Sequence, residues 1–199
     1  MSEQPALLGV LDDVRRFLFG LKEELPDVFA APTPTPERDD AATATLGGLE
    51  LPLRERREPG TRTRVEEDAD GLIVVRGGDG MRRKDALREF YAARAAKIFR
   101  ERVAFWAERM GLIERVMRVT IKDQRSLWGS CSEIGNLNFN WRVVLAPPEV
   151  LDYLVIHELA HLREMNHSPR FWAHVGEHCA DYKARRKWLR QNAARLKNI

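Results

Sequence analysis

The sequence predicts an α+β fold, a small, mostly antiparallel sheet packed between a long backing helix and a second, buried helix. Three observations predict it. Residues 117–122 and 137–145 alternate apolar with polar side chains (Met117, Val119, Ile121; Leu137, Phe139, Trp141, Val143, Leu145), the period of strands with one buried face. Residues 81–109 carry Leu87, Phe90, Tyr91, Ile98 and Phe105 on one side of a helix long enough to back such a sheet. Residues 148–162 are apolar almost all the way round, as expected of a helix buried on every side.

The elements follow in order. In residues 1–30, Leu7, Leu11, Val14, Leu18, Leu21 and Leu25 recur at helical spacing with charges between them, predicting an amphipathic N-terminal helix. Residues 31–50, with Pro32-Thr33-Pro34-Thr35-Pro36 and an Ala/Thr-rich stretch, read as an extended linker, and residues 51–199 as the main domain. The N-terminal helix docks on its own domain, associates with a second copy, or covers the functional site. Residues 61–65 and 72–76 flank Asp68-Ala69-Asp70-Gly71, a hairpin signature, and the backing helix comes next. Gly135-Asn136 marks a turn before the 137–145 strand, and Pro147-Pro148 ends that strand and opens the buried helix.

The buried helix carries the chemistry. His157 and His161, four residues apart, lie about 40° apart around a helix and one turn along it, so both imidazoles reach one ion from the same side. Glu158, next to the first histidine, reaches a water at an open coordination position, where a carboxylate takes the proton as water attacks a carbonyl. Buried His and Glu need partners, and a zinc ion satisfies both imidazoles at once. A catalytic zinc takes a third protein ligand, and His167 is the choice. On a continuous helix it would lie about 240° from His161, so the helix must stop first. Asn166 suits a helix end, and Ser168-Pro169 reads as the cap and first position of a new helix. Glu164, Glu177 and Asp181 stay open as acidic alternatives for the third ligand. His174, Glu177 and His178 spell the inverted H-x-x-E-H pattern, but Gly176 weakens their helix and little chain remains to supply a further ligand.

Taken with Trp128-Gly129-Ser130-Cys131-Ser132, Gly135-Asn136-Leu137, Asn140-Trp141-Arg142, Ala146-Pro147-Pro148-Glu149, Asn166-His167-Ser168 and Phe171-Trp172, the motif resembles the YgjP-like metallopeptidase family, relatives of the SprT-like zincins. The likeness covers about residues 60–192. It implies a zincin-like fold, zinc ligands at His157, His161 and His167, and a catalytic base at Glu158. It further implies that the 137–145 strand is an edge strand on which an extended substrate pairs. Leu127 stands where a basic residue is expected, and Ala180 where a proline is expected. Tyr182 and Arg125 are candidates, by elimination alone, for the donor that assists the developing oxyanion.

Composition frames the remaining readings. With 199 residues, 44% hydrophobic and 32% charged, the chain forms one sizeable core plus an appendage. Cys131 and Cys179 make no disulfide framework, Met1-Ser2-Glu3-Gln4 lacks a basic leader, and no apolar run approaches a membrane span. The expectation is a soluble cytoplasmic protein with reduced thiols and no membrane partner. A Cys131 nucleophile with a histidine base leaves the three-histidine pattern unexplained. Gly77-Gly78-Asp79-Gly80 reads as a turn and not as a phosphate loop. The net charge is only +3, yet Lys183, Arg185, Arg186, Lys187, Arg190, Arg195 and Lys197 crowd the C-terminal helix against Asp181. The favoured function is therefore zinc-dependent peptide hydrolysis. One alternative is a DNA-associated protease or nucleic-acid-binding module using that helix. Another is hydrolysis of nucleotide phosphoanhydrides, with Arg125 and Arg142 holding phosphates.

Overall fold

A computed structural model describes residues 42–124 and 126–198 of the chain. The expected N-terminal helix, the Pro-rich stretch and Arg125 fall outside these residues. The fold is α+β, as predicted, but its strands form two small sheets instead of one. The first contains β1 (Thr43–Leu46), β2 (Leu49–Arg57), β3 (Arg64–Asp68) and β4 (Gly71–Arg76) in the order β1-β2-β4-β3. The second contains β5 (Arg118–Lys122), β6 (Gly129–Cys131) and β7 (Asn136–Asn140) in the order β5-β7-β6. Antiparallel pairings predominate, but β2 runs parallel to β4 and β5 parallel to β7.

Residues 43–50, expected in the linker, form strand and turn. Ala44 and Leu46 alternate inward between exposed or half-exposed threonines, which is a strand pattern hidden inside an Ala/Thr-rich composition. Gly47 and Gly48, with φ of 59° and 80°, make the two-residue turn into β2, a backbone that L side chains adopt only at a cost. The turn docks where the functional helix begins: Gly47 N–H donates to Val144 O at 2.8 Å and Gly48 N–H to Leu145 O at 2.9 Å. The predicted hairpin at Asp68-Ala69-Asp70-Gly71 is present as β3 and β4, its turn held by Asp68 Oδ1, which accepts from the backbone of Asp70 and Gly71.

The 137–145 segment is a strand only as far as Asn140. From Trp141 to Leu145 it winds into a 3-10 turn, because Asn140 Oδ1 accepts from the Arg142 N–H and caps that turn. Val143, Val144 and Leu145 are all buried, so the apparent alternation ends there. β7 is moreover the central strand of its sheet, and the exposed edge beside the functional helix belongs to the shorter β6.

The long helix α1 (Arg83–Arg109) backs the second sheet. Its inward positions, Tyr91, Ala95, Ile98, Phe99, Val103 and Ala107, are fully buried. Phe99 stacks on Phe139 of β7 at 4.3 Å, and Tyr91 on Trp141 at 5.9 Å, contacts that add about 0.5–1.5 kcal/mol each beyond the area they bury. Phe105 departs from the predicted apolar side: it is half-buried, with the Arg102 and Arg109 guanidinium groups over its ring at 4.2 and 3.5 Å. Helix α2 (Pro148–Ala160) is buried all round, as predicted, and Arg102 of α1 holds Asp152 of α2 by two hydrogen bonds of 2.7 Å. Three shorter helices follow: α3 (Pro169–His178), α4 (Tyr182–Gln191) and α5 (Ala193–Lys197). No helix among the described residues is long and apolar enough to cross a membrane.

Candidate metal centre

Helix α2 begins with Pro148 at its first position and ends at Ala160, earlier than Asn166. Its last turn tightens as Leu162 N–H donates to Leu159 O and Arg163 N–H to Ala160 O, both at 3.0 Å. The chain then reverses. Ser168 Oγ accepts from Phe171 N–H at 3.3 Å and Pro169 takes the first position of α3, as their sequence predicted. The same cap seats Phe171, fully buried, with its ring 4.9, 4.5 and 4.7 Å from those of His157, His161 and His167. One aromatic side chain thus packs against all three imidazoles.

Those three histidines come together, each offering a ring nitrogen within 4.8 Å of the others. Nε2 of His157 and Nε2 of His167 face one another at 3.2 Å. Two nitrogens bound to one tetrahedral zinc at about 2.0–2.1 Å stand roughly 3.3 Å apart, so this separation fits a shared ion. His161 has Nδ1 3.3 Å from Glu164 O, so a proton donated there leaves Nε2 unprotonated for a metal. His157 Nδ1 is buried without a protein partner, and its ring is held by packing against Tyr153, Phe171 and Trp172. Burial, reinforced by the other two histidines and Arg186, lowers the His157 pKa to about 3, which keeps the ring neutral and competent to bind a cation. The donor set fits zinc.

Glu164 contributes only its backbone carbonyl to this arrangement, and neither Glu177 nor Asp181 joins the cluster. His174 and His178 build no second metal group among the described residues. His178 instead packs edge-on to Trp106 at 6.5 Å and lies 3.9 Å from Glu177.

Glu158 is 4% exposed and lies against β6. A Cβ added to Gly129 would fall 2.8 Å from Glu158 Cδ and 2.9 Å from Cγ, and closer still to Oε1, so the carboxylate occupies space that only glycine leaves free. Burial raises the Glu158 pKa to about 8 in the metal-free protein. Cys131, two residues along the same strand, is pushed up to about 11 by burial and by Glu158, which removes it as a thiolate nucleophile.

The site opens into a cleft of about 750 Å³ whose walls include Trp128, Gly129, Glu158, His167, Trp172 and Arg190. Sequence reasoning missed two of its features. Gly129 gave no signal beyond its place in a Trp-Gly-Ser-Cys motif, because the need for glycine arises from a residue far away in sequence. Arg186, Arg190 and Lys197 read as part of one basic C-terminal helix, whereas that stretch is split into α4 and α5 and all three line the cleft. Two expected candidates lie elsewhere: Tyr182 stacks on Trp172 at 5.2 Å, outside the cleft lining, and Arg142 pairs with Asp123 while its guanidinium covers Trp141 at 4.3 Å.

A family model described as YgjP-like, metallopeptidase domain, matches residues 21–192, starting well ahead of the expected residue 60. No curated protein matches the chain in sequence. Among solved structures, the crystal structure of the metallopeptidase zymogen of Pyrococcus abyssi abylysin is similar at 24% identity, covering 44% of this chain and 90% of that one with a TM-score of 0.39.

Proposed function

This chain belongs to the YgjP-like metallopeptidase family, and on that premise we propose that it is a zinc-dependent peptidase with His157, His161 and His167 as ligands and Glu158 as general base. The observation that carries the reading is the convergence of three imidazoles beside a cleft that His157, His167 and Glu158 line. When bound, zinc supplies a Lewis acid for the scissile carbonyl and lowers the pKa of the attacking water.

The protein's own groups do the rest. Glu158 takes a proton from the attacking water and returns it to the departing amine, and its packing against Gly129 fixes the geometry of both transfers. Asn140 N–H bonds to Trp128 O and Ser132 N–H to Asn136 O, so the antiparallel alternation turns the backbone groups of Gly129 and Cys131 to the open edge of β6. An extended substrate adds there as a further strand, bringing its backbone past Glu158. Cys131 and Cys179 are both free thiols, which supports action in a reducing compartment such as the cytoplasm.

A second reading, phosphoanhydride hydrolysis, draws on the same cleft, since Arg186, Arg190 and Lys197 also suit phosphate oxygens. The test compares zinc-loaded wild type with Glu158→Gln on casein, a mixed peptide pool and nucleoside triphosphates. Peptide cleavage that falls ~10²-fold or more in the variant, with zinc retained, is expected. Activity confined to nucleotides, or full turnover in Glu158→Gln, contradicts the proposal.

A further inference from the structure

The basic residues of the C-terminal helices differ in their surroundings. Arg185 and Arg195 are ion-paired, Arg185 with Asp181 and Glu149 and Arg195 with Glu50. Arg186, Arg190 and Lys197 line the cleft, and no carboxylate among the described residues pairs with them. Among the described residues that line the cleft, Glu158 is the sole acidic side chain, and it is buried.

Two of these cations lie over aromatic rings that line the cleft. The Arg186 guanidinium lies 4.9 Å above Trp172, and Trp172 stacks on His167 at 5.6 Å. Lys197 Nζ lies 5.4 Å from the Trp128 ring, next in sequence to the Gly129 that receives Glu158. Arg186 is therefore one aromatic ring from the histidine cluster, and Lys197 one aromatic ring from the strand that receives Glu158. Arg190 stands one helical turn beyond Arg186, and with Lys183 and Lys187 the two arginines line a second, shallow hollow of about 200 Å³. Positive charge thus runs continuously from the cleft along α4.

We infer that Arg186, Arg190 and Lys197 form a subsite that selects peptides carrying aspartate or glutamate within a few residues of the scissile bond. The inference rests on the peptidase reading above and specifies its substrate class. An extended chain advances about 3.3–3.6 Å per residue, so a strand laid on β6 places alternate side chains against the α4 wall on the scale of these contacts. An acidic side chain there meets the Arg186 guanidinium, already oriented by Trp172, and carboxylates pair with such a fork strongly. An acidic peptide is favoured over nucleic acid because three of these cations lie inside a concave site that also holds the catalytic groups, where one strand of polypeptide fits.

The test uses the full-length, zinc-loaded Glu158→Gln protein, so that bound peptide is not consumed. Fluorescein-labelled peptides bearing Asp and Glu, and the same peptides with Asn and Gln, are titrated by anisotropy. Acidic peptides are expected to bind about tenfold or more tightly than the amide versions, and the gap should shrink as salt rises. Arg186→Gln/Arg190→Gln, and separately Lys197→Gln, should reduce the preference while circular dichroism stays unchanged. Equal binding of the two peptide sets overturns the inference, as does a preference that survives all three substitutions. So does a duplex oligonucleotide that binds through these residues when the acidic peptide does not. Cleavage by wild type is scored on the same peptides: selective binding without cleavage fails the peptidase reading, whereas cleavage without selectivity fails only the subsite.

Discussion

Glu158 rests against the bare α-carbon of Gly129, where even a methyl group would come within 2.8 Å of the carboxylate carbon. The base on α2 and the edge strand β6 are thereby coupled, although Gly129 and Glu158 stand 29 positions apart in sequence. Glycine at position 129 sets where the base stands relative to the substrate edge.

Replacing Gly129 by alanine should displace Glu158 without touching the histidines. A displacement of about 1 Å costs roughly 10²-fold in rate. The expected result is a kcat/KM lower by about that factor with zinc content unchanged. Wild-type kinetics in Gly129→Ala would show that the carboxylate has no fixed working position.

The metal-free protein should show the burial of Glu158 in its stability. This carboxyl loses its proton near 4.5 when unfolded and near 8 when folded, so between those values the folded chain holds more protons here and stability falls as pH rises. His157, lowered to about 3 by burial, acts oppositely between 3 and 6.5, but its contribution is common to wild type and Glu158→Gln. In urea titrations of metal-free samples, Glu158→Gln should therefore gain on wild type as pH rises from 4.5 to 8, on the order of a few kcal/mol. A constant difference across that range would mean that Glu158 ionises freely in the fold.

His174 and His178 supply a control. His178 is a packing residue against Trp106, and the pair belongs to no metal group among the described residues. Alanine at either position should leave zinc content unchanged and activity within about twofold. His161→Ala should abolish zinc binding in the same preparations. Zinc loss in His174→Ala would move the centre.

Asn140 is fully buried and donates to Gln124 O at 2.6 Å and Leu127 O at 3.2 Å while accepting from Arg142 N–H. It ties the loop before Trp128 to the end of β7. Asn140→Ala should cost about 1–3 kcal/mol, since a fully buried side chain and its three hydrogen bonds are lost. It should also raise KM more than it lowers kcat, because the Trp128 wall loosens while Glu158 and the histidines keep their supports. An unchanged melting temperature would count against this role.

Periodicity and spacing carried the reading furthest where a rule is local. The histidine pair on α2, the Ser168-Pro169 start of α3, the β3–β4 hairpin and the α1 backing helix all follow from residues within a few positions of one another. What stayed hidden depends on distant partners. The 137–145 segment kept its alternating pattern past Asn140, but a side-chain cap and complete burial turned its second half into a 3-10 turn. β6 was too short to show a period, so the substrate edge was assigned to its central neighbour. The basic helix gave its charge but not its direction, which only the packing of Leu189 and Leu196 into the core decides.

The central claim is that His157, His161 and His167 hold one zinc ion. Metal content of chains prepared in metal-free buffer and then offered zinc, wild type beside His167→Ala, tests it most directly. About one zinc per wild-type chain and a sharp loss in the variant is the predicted result. No uptake by wild type, or equal uptake by both, would contradict it.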